Sequence, residues 1–304
     1  MDRVASIDIG TNTILLLIAY VEEGQLKPLF EMETVVRLGE DLQKSGVLSR
    51  EAMERGFRTL SHYLDHCRKM NVRKVFAVGT SALREAKNSR DFLSLIEERL
   101  HLPIEIISGE EEAQLSFLAV AKDLKEMKTS ILVVDVGGGS TEFILGRNDH
   151  IAEWVSLPLG SVRFTEQFLS SDPVQEEEWQ RMVRKIRELL TRIPHSQVQL
   201  SMIAVGGTAT TLASVDQGLE EFIPEKIHHS LLTRESLRNQ LTLYRSKTII
   251  ERKEIPGLPP ARADVILAGG TILYLAMEET GSFSALVSCH GIRHGLLYKK
   301  ISDF

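Results

Sequence analysis

Two short polar stretches, each flanked by apolar runs, contain the residues of this sequence that are best suited to chemistry. DIGTNT occupies Asp8–Thr13, and DVGGGST occupies Asp135–Thr141. In both, a carboxylate is followed by glycine and then by hydroxyl or amide side chains. Glycine allows a tight turn whose N–H groups surround an anion, and a carboxylate can hold a hydrated Mg²⁺ that bridges to phosphate oxygens. The sequence therefore predicts two phosphate-binding turns, with Asp8 and Asp135 as ligands of Mg²⁺.

A simpler interpretation of either stretch is a hairpin turn in which the aspartate caps the backbone. The repetition at matching positions favours phosphate binding. No GK[ST] follows either glycine run and no GxGxxG occurs in the chain, which excludes a Walker loop and a Rossmann fingerprint. The phosphate ligands expected from the two turns are Thr11, Asn12, Gly137, Gly138, Gly139, Ser140 and Thr141.

Two glutamates are candidates for acid–base chemistry. SGEEE begins a predicted helix, and its S-x-x-E pattern is a capping box that makes Ser108 the N-cap and Glu111 its partner. Glu112 lies about 100° further round the helix, so the cap does not use it. Glu142 follows the second turn. If Phe143 faces the core, Glu142 faces away from the core, because side chains alternate along a strand. On the residues alone, the simpler interpretations are an acid that favours a helix start and an exposed strand acid.

Further groups have the chemistry to contact phosphate. The guanidinium of Arg84 can pair bidentately with phosphate oxygens, although a surface ion pair is an equally good interpretation of the residue alone. Arg37 and Arg293 are weaker candidates for the same role. In the stretch VGGTAT, the backbone amides of Gly207 and Thr208 are candidates to bind a second phosphate group of the substrate.

The histidines offer a weaker signal. His290 and His294 have a spacing that could hold a metal on a helix, but no third ligand accompanies them in the sequence. We therefore expect polar histidines on a helix surface. The adjacent His228 and His229 are expected in a surface loop.

The elements that must position these residues follow one order that occurs twice. Three strands come first, and helices then alternate with further strands. In the second copy, a helix is predicted from Pro173 with Asp172 as its N-cap, because proline fits the first helical position. The strands beside the two turns are expected at Val4–Ile9, Thr13–Val21, Leu26–Val36, Ile131–Val136, Thr141–Leu145 and Ile151–Leu157.

This repeated order predicts an α/β protein with two domains and mixed sheets. Residues 1–124 are expected to form the first domain and residues 125–304 the second, joined in the polar stretch Ala121–Lys128. The final helix, from Gly291, is a candidate to pack back on the first domain.

Composition limits the classes of function. A net charge of −6 argues against a general nucleic-acid binder, which would be basic. The two cysteines make neither a disulfide framework nor a CxxC metal site. The first residues lack the features of a signal peptide, and no apolar run is long enough to span a membrane. We expect a cytoplasmic protein without nucleic-acid or membrane partners, and a homodimer is a candidate assembly.

Several motifs together resemble the exopolyphosphatase/guanosine pentaphosphate phosphatase family, within the actin, sugar-kinase and heat-shock chaperone superfamily. The resemblance runs through nearly the whole chain and is to the short, two-domain form. It implies two duplicated ribonuclease H-like, actin-like domains with a cleft between them. The motifs are TSALREAKN at Thr80–Asn88, SGEEEA at Ser108–Ala113, DVGGGSTEF at Asp135–Phe143, RADVILAGG at Arg262–Gly270 and GIRHGLLY at Gly291–Tyr298.

The resemblance implies a Mg²⁺-assisted hydrolase that removes the terminal phosphate of inorganic polyphosphate, of guanosine pentaphosphate, or of both; a monovalent cation is a further candidate cofactor. It implies that Glu112, just before the small residue Ala113, activates water, that Glu142 acts with the metal or the water, and that Arg84 binds phosphate. Two alternatives stay open. An ATP-dependent kinase of the same superfamily would transfer phosphate to an acceptor. A non-catalytic sensor would bind polyphosphate or a guanosine alarmone, and the presence of both glutamates argues against it.

Overall fold

The computed structural model of the protein describes residues 2–22, 25–124, 129–194 and 200–301. Within those ranges, no helix is both long and apolar enough to cross a membrane. The elements up to residue 124 are β1 (Arg3–Ile9), β2 (Thr13–Glu22), β3 (Gln25–Val35), α1 (Leu42–Ser45), α2 (Arg50–Lys69), β4 (Lys74–Gly79), α3 (Ser81–Glu85), α4 (Ser89–Leu100), β5 (Ile104–Ile106) and α5 (Gly109–Asp123). The elements after it are β6 (Ser130–Val136), β7 (Thr141–Arg147), β8 (His150–Leu157), α6 (Ser161–Phe168), α7 (Glu176–Leu190), β9 (Ser201–Val205), α8 (Gly206–Asp216), α9 (Pro224–Ile227), β10 (Leu231–Thr233), α10 (Arg234–Arg245), α11 (Ile249–Arg252), α12 (Ile266–Glu279), β11 (Ser284–Ser288) and α13 (Ile292–Ile301).

The chain divides into two compact units, each built on one mixed sheet. Unit 1 comprises Met1–Ala119 and Ile292–Phe304, and unit 2 comprises Val120–Gly291. The strand order is β3-β2-β1-β4-β5 in the first sheet and β10-β11-β9-β6-β7-β8 in the second. In both sheets three antiparallel strands are followed by parallel ones, with β1, β4 and β5 corresponding to β6, β9 and β11. This repeat confirms the predicted α/β fold with two matching mixed sheets. Part of the predicted junction, residues 125–128, lies outside the described residues.

The helix α2 shows how the sequence forms the layer on the sheet of unit 1. Ser49 caps its start by accepting a hydrogen bond from the amide of Ala52 at 3.1 Å. Leu60, Leu64 and Cys67 recur at helical spacing and are buried in the same cluster as the strand residues of β1 and β2. Burial of this apolar face supplies most of the stability of such a helix.

The predicted start of the helix in the second copy is wrong. The helix α7 begins at Glu176 instead of Pro173. Gln175 and Glu178 form its capping box, so the N-cap is Gln175, three residues after the expected Asp172. The carboxylate of Asp172 instead accepts a hydrogen bond at 2.8 Å from the backbone amide of Ile249.

The helix α13 belongs to unit 1 although it lies near the end of the chain. Its Leu297 is fully buried with Val4 and Leu17 of the first two strands. His294 is only 1% exposed, and its Nε2 atom lies 3.7 Å from a carboxylate oxygen of Glu31. The expectation of a surface histidine is therefore wrong, because an acid far away in sequence gives this side chain a polar partner inside the protein.

Candidate active site

The first glycine turn joins β1 to β2 in unit 1. The amide of Gly10 donates to the carbonyl oxygen of Thr13 at 3.0 Å, which closes the turn. The carbonyl of Asn12 accepts from two amides of the segment 36–39, at 2.9 and 2.8 Å, and the carbonyl of Thr11 accepts from a third at 2.9 Å. These bonds fix the backbone of the turn against the segment that follows β3.

The polar side chains of this turn are buried. Asp8, Thr11 and Asn12 are 7%, 7% and 5% exposed. Among the described residues, no hydrogen-bonding group lies within reach of Oγ1 of Thr11 or of either side-chain polar atom of Asn12. A buried polar atom without a partner is costly, and such atoms in a native protein call for an explanation. A phosphate ligand would supply partners for both side chains.

The two neighbouring glutamates at the start of α5 have different contacts. Glu111 accepts from the amide of Ser108 at 2.9 Å and Ser108 accepts from the amide of Glu111 at 3.2 Å, which confirms the predicted capping box. The hydrogen bond from the backbone amide of Ser108 outweighs burial and lowers the pKa of Glu111. Glu112 is buried, and its Oε2 atom accepts from Nη1 of Arg84 at 2.8 Å. The same nitrogen lies 2.9 Å from the carbonyl oxygen of Ile107, which orients the guanidinium.

The second glycine turn joins β6 to β7 in unit 2 and repeats the geometry of the first. The amide of Gly137 donates to the carbonyl of Ser140 at 3.0 Å, the same bond as that between Gly10 and Thr13. The start of α6 holds the turn from one side, because the amides of residues 161–163 donate to the carbonyls of Gly137 and Gly138.

Asp135 and Glu142 form an acid pair beside this turn. They are directly opposite each other in the register of β6 and β7, so their side chains lie on the same face of the sheet. Both are buried, and Glu142 accepts a hydrogen bond from Oγ of Ser156 at 2.7 Å. In the first copy, Leu15 stands opposite Asp8. Only the second copy therefore carries two carboxylates.

The stretch VGGTAT forms the end of β9 and the N-terminus of α8, a helix that the sequence analysis did not predict. Gly206 has a φ of +84°, and a Cβ atom there would lie 2.6 Å from Oδ1 of Asp135. A Cβ atom at Gly207 would clash with the guanidinium of Arg262. The backbone amides at this helix start suit an anion, since they have no partner within the helix.

Two of the predicted phosphate ligands use their hydroxyl groups inside the protein. Oγ1 of Thr208 donates to the carbonyl of Val136 at 3.1 Å, and Oγ1 of Thr141 donates to the carbonyl of Leu159. These two hydroxyls are therefore not the groups that would face a phosphate.

The predicted site residues are divided between the two units and so form two sets. Unit 1 holds Asp8, Thr11, Asn12, Arg84 and Glu112, and the other predicted residues belong to unit 2.

Sequence reasoning missed three residues that shape the second set. Arg163 donates from Nε to the carbonyl of Gly139 at 2.7 Å. A side chain at Gly160 would clash with the carbonyl of Gly138, and Arg262 packs against the first turn of α8 as described. The motif RADVILAGG contained Arg262, but nothing in the local pattern indicated that it folds over Gly207.

Comparison with known proteins shows the family of this chain. The sequence profile of the Ppx/GppA phosphatase family matches residues 17–304. This chain belongs to the Ppx/GppA phosphatase family. It is similar to Exopolyphosphatase 2 of Mycobacterium tuberculosis, with 32% identity over 97% of this chain and 98% of that protein. The crystal structure of the Aquifex aeolicus family member is 33% identical, with a TM-score of 0.84 over 99% of this chain and 98% of that one.

A third relative is longer. The bifunctional 3-dehydroquinate synthase/phosphatase of Fusobacterium nucleatum is 36% identical over 93% of this chain, which spans 44% of the length of that protein. Membership of the family makes this protein a hydrolase of the exopolyphosphatase class.

Proposed function

We propose that this protein releases the terminal phosphate of inorganic polyphosphate, or of guanosine pentaphosphate, by attack of a water molecule that Glu112 orients and deprotonates. The observation that carries the proposal is the state of Glu112. It is buried, the helix cap uses its neighbour instead, and its Oε2 atom accepts a hydrogen bond from Nη1 of Arg84 at 2.8 Å. A buried carboxylate held in one orientation suits a general base.

Hydrolysis of a phosphoanhydride requires positioned water and stabilisation of charge on the phosphate oxygens. In unit 1, Thr11 and Asn12 can donate hydrogen bonds to those oxygens. In unit 2, the backbone amides of residues 138–140 and of Gly207 and Thr208 can do the same. We infer that hydrolysis requires both sets, because each alone combines only part of this chemistry.

The carboxylates fit a requirement for Mg²⁺. Asp135 and Glu142 are buried side by side on adjacent strands, an arrangement in which two negative charges favour a bound cation. We propose that Asp135 and Asp8 are ligands of Mg²⁺ and that Glu142 supports the ion or the water. Bound Mg²⁺ would neutralise phosphate charge.

Arg84 is proposed to bind phosphate as well as to orient Glu112. Its side chain is 28% exposed, whereas that of Glu112 is 6% exposed. The guanidinium has further donors beyond the Nη1 atom that contacts Glu112 and Ile107. It can therefore contact a phosphate oxygen while it still holds the carboxylate.

Glu112→Gln tests the proposal, and Glu111→Gln is its matched control one position away. Loss of the base should lower kcat by about 10²–10⁴-fold, because general-base catalysis contributes that much. Glu111→Gln should keep activity and destabilise the start of α5 by about 1 kcal/mol. Phosphate release would be measured with long polyphosphate, short polyphosphate and guanosine pentaphosphate side by side. A folded Glu112→Gln protein with near-normal turnover on all three substrates would refute the role of Glu112.

A further inference from the structure

Three histidines surround one carboxylate in unit 2. Nε2 of His228 and Nδ1 of His290 lie 3.3 and 3.6 Å from the same oxygen, Oδ1 of Asp123. Nε2 of His229 lies 2.9 Å from the other oxygen, Oδ2. The hydrolytic reaction proposed above uses none of these side chains.

The geometry of this cluster matches that of a metal site. Among the described residues, Asp123, His228 and His290 are the one group of three or more His, Cys, Asp or Glu side chains whose ligand atoms all lie within 4.8 Å of one another. Ligands at about 2.0–2.1 Å from a tetrahedral zinc are roughly 3.3 Å apart, close to the measured separations of 3.3 and 3.6 Å. The side chains are 11%, 23% and 23% exposed, so the site is sheltered but accessible to an ion.

The surroundings fix the ligand groups. Both oxygens of Asp123 face histidine ring nitrogens, Oδ1 those of His228 and His290 and Oδ2 that of His229. The rings of His228 and His229 are stacked with their centroids 3.8 Å apart, and that of His290 lies 4.6 Å from the ring of His228.

One contact opposes the binding of a metal. The backbone amide of Cys289 donates to Nδ1 of His228 at 3.2 Å, so Nε2 carries the proton of the neutral ring when no metal is bound. Coordination through Nε2 places that proton on Nδ1 and gives up this long hydrogen bond. Bonds from several ligands to one ion must outweigh this loss.

We propose that Asp123, His228 and His290 form a binding site for a first-row transition metal ion, with Zn²⁺ as the best match. Imidazole and carboxylate donors suit Zn²⁺, and three protein ligands leave the fourth position of a tetrahedral zinc for a water molecule.

The position of the site in the chain gives it a structural consequence. The chain passes between the two units at Ala119–Val120 and again at Gly291–Ile292. Asp123 lies at the end of α5, just after the first passage, and His290 lies just before the second. Within unit 2, one ion would link these two segments to each other and to the loop that carries His228.

Zinc binding to the chelator-treated full chain tests the proposal without using enzymatic activity. We expect one tightly bound Zn²⁺ per chain in competition with a zinc indicator, and a higher Tm on addition of Zn²⁺. Asp123→Asn and His290→Gln should each weaken Zn²⁺ binding by more than about 100-fold. Loss of a residue that only hydrogen-bonds to a ligand costs about 10–100-fold, and these two residues contact the ion directly. Co²⁺ bound in place of Zn²⁺ should show the visible absorption of a tetrahedral site in the wild type and in neither of these two variants.

His62→Gln is the matched control, because Nε2 of His62 lies 3.2 Å from Nε2 of His66 on the exposed surface of α2. This variant should keep the tight site. The proposal is wrong if the wild type binds no Zn²⁺ tightly, if both folded cluster variants bind it as well as the wild type, or if His62→Gln abolishes binding. Two variants on separate segments keep the test decisive if one of them does not fold.

Discussion

The buried polar side chains of the first glycine turn should lower the stability of the free protein in exchange for affinity for phosphate. Thr11→Val replaces Oγ1 by a methyl group of similar size, and Asn12→Leu removes both polar atoms of the amide. A buried polar atom without a partner costs about 1–3 kcal/mol. We expect each substitution to leave the free energy of unfolding unchanged or to raise it by up to about 1–3 kcal/mol, as measured by urea denaturation.

The same substitutions should weaken substrate binding. A hydrogen bond to a charged group contributes about 1.5–3 kcal/mol. Since about 1.4 kcal/mol is a factor of ten, the KM for polyphosphate should rise by about 10–150-fold. Phosphate release over a range of polyphosphate concentrations would give KM and kcat separately.

Thr34→Val is the control for this experiment. Oγ1 of Thr34 lies 2.8 Å from the hydroxyl of Tyr63, so this substitution removes an existing hydrogen bond. It should lower the free energy of unfolding by about 0.5–1.5 kcal/mol and leave KM unchanged. If Thr11→Val destabilised the protein as Thr34→Val does and left KM unaltered, the side chain of Thr11 would be structural and the reasoning would be refuted.

Three further predictions concern other parts of the molecule. Gly206→Ala should cost about 1–2 kcal/mol, because φ is +84° and the new Cβ lies 2.6 Å from Oδ1 of Asp135; the Tm and the Mg²⁺ dependence of activity would both change. Hydrogen bonds, first from a serine hydroxyl and then from backbone amides, lower the pKa of Glu178 from 4.5 to about 2. Stability from Glu178 is therefore present above pH 4.5 and is lost as the pH falls toward 2, so the destabilisation of Glu178→Gln in urea should shrink over that range. Arg84→Lys keeps a positive charge beside Glu112 but loses the fork of donors, so kcat/KM should fall about tenfold or more while the unfolding midpoint changes little.

The parts of the site that could be predicted from sequence are those set by neighbouring residues. Both glycine turns and the capping box formed by Ser108 and Glu111 follow from local chemistry, and the structure contains them. Local sequence patterns gave a wrong helix start where the same residues fit both a helix cap and a loop. Asp172 followed by proline looked like a helix start, but Gln175 and Glu178 provide a better cap.

Other features depend on residues that only the folded chain brings together. The helix α8 was missed because its mixture of small apolar and hydroxyl-bearing residues shows no amphipathic period. The ion pair between Arg84 and Glu112 was not expected, since 28 positions separate the two residues. No role was predicted for Asp123, because no residue near it in the sequence indicates that three histidines from two later segments surround it.

The membership of α13 in unit 1 determines the order in which the protein can fold during synthesis. Unit 2 is one continuous segment, whereas unit 1 needs residues from both sides of it. Val4 and Leu17 leave the ribosome early, but their partner Leu297 is made after the whole of unit 2. The apolar surface that α13 covers therefore stays open to solvent or to chaperones until synthesis passes this helix. The part of the protein that is translated first is completed last.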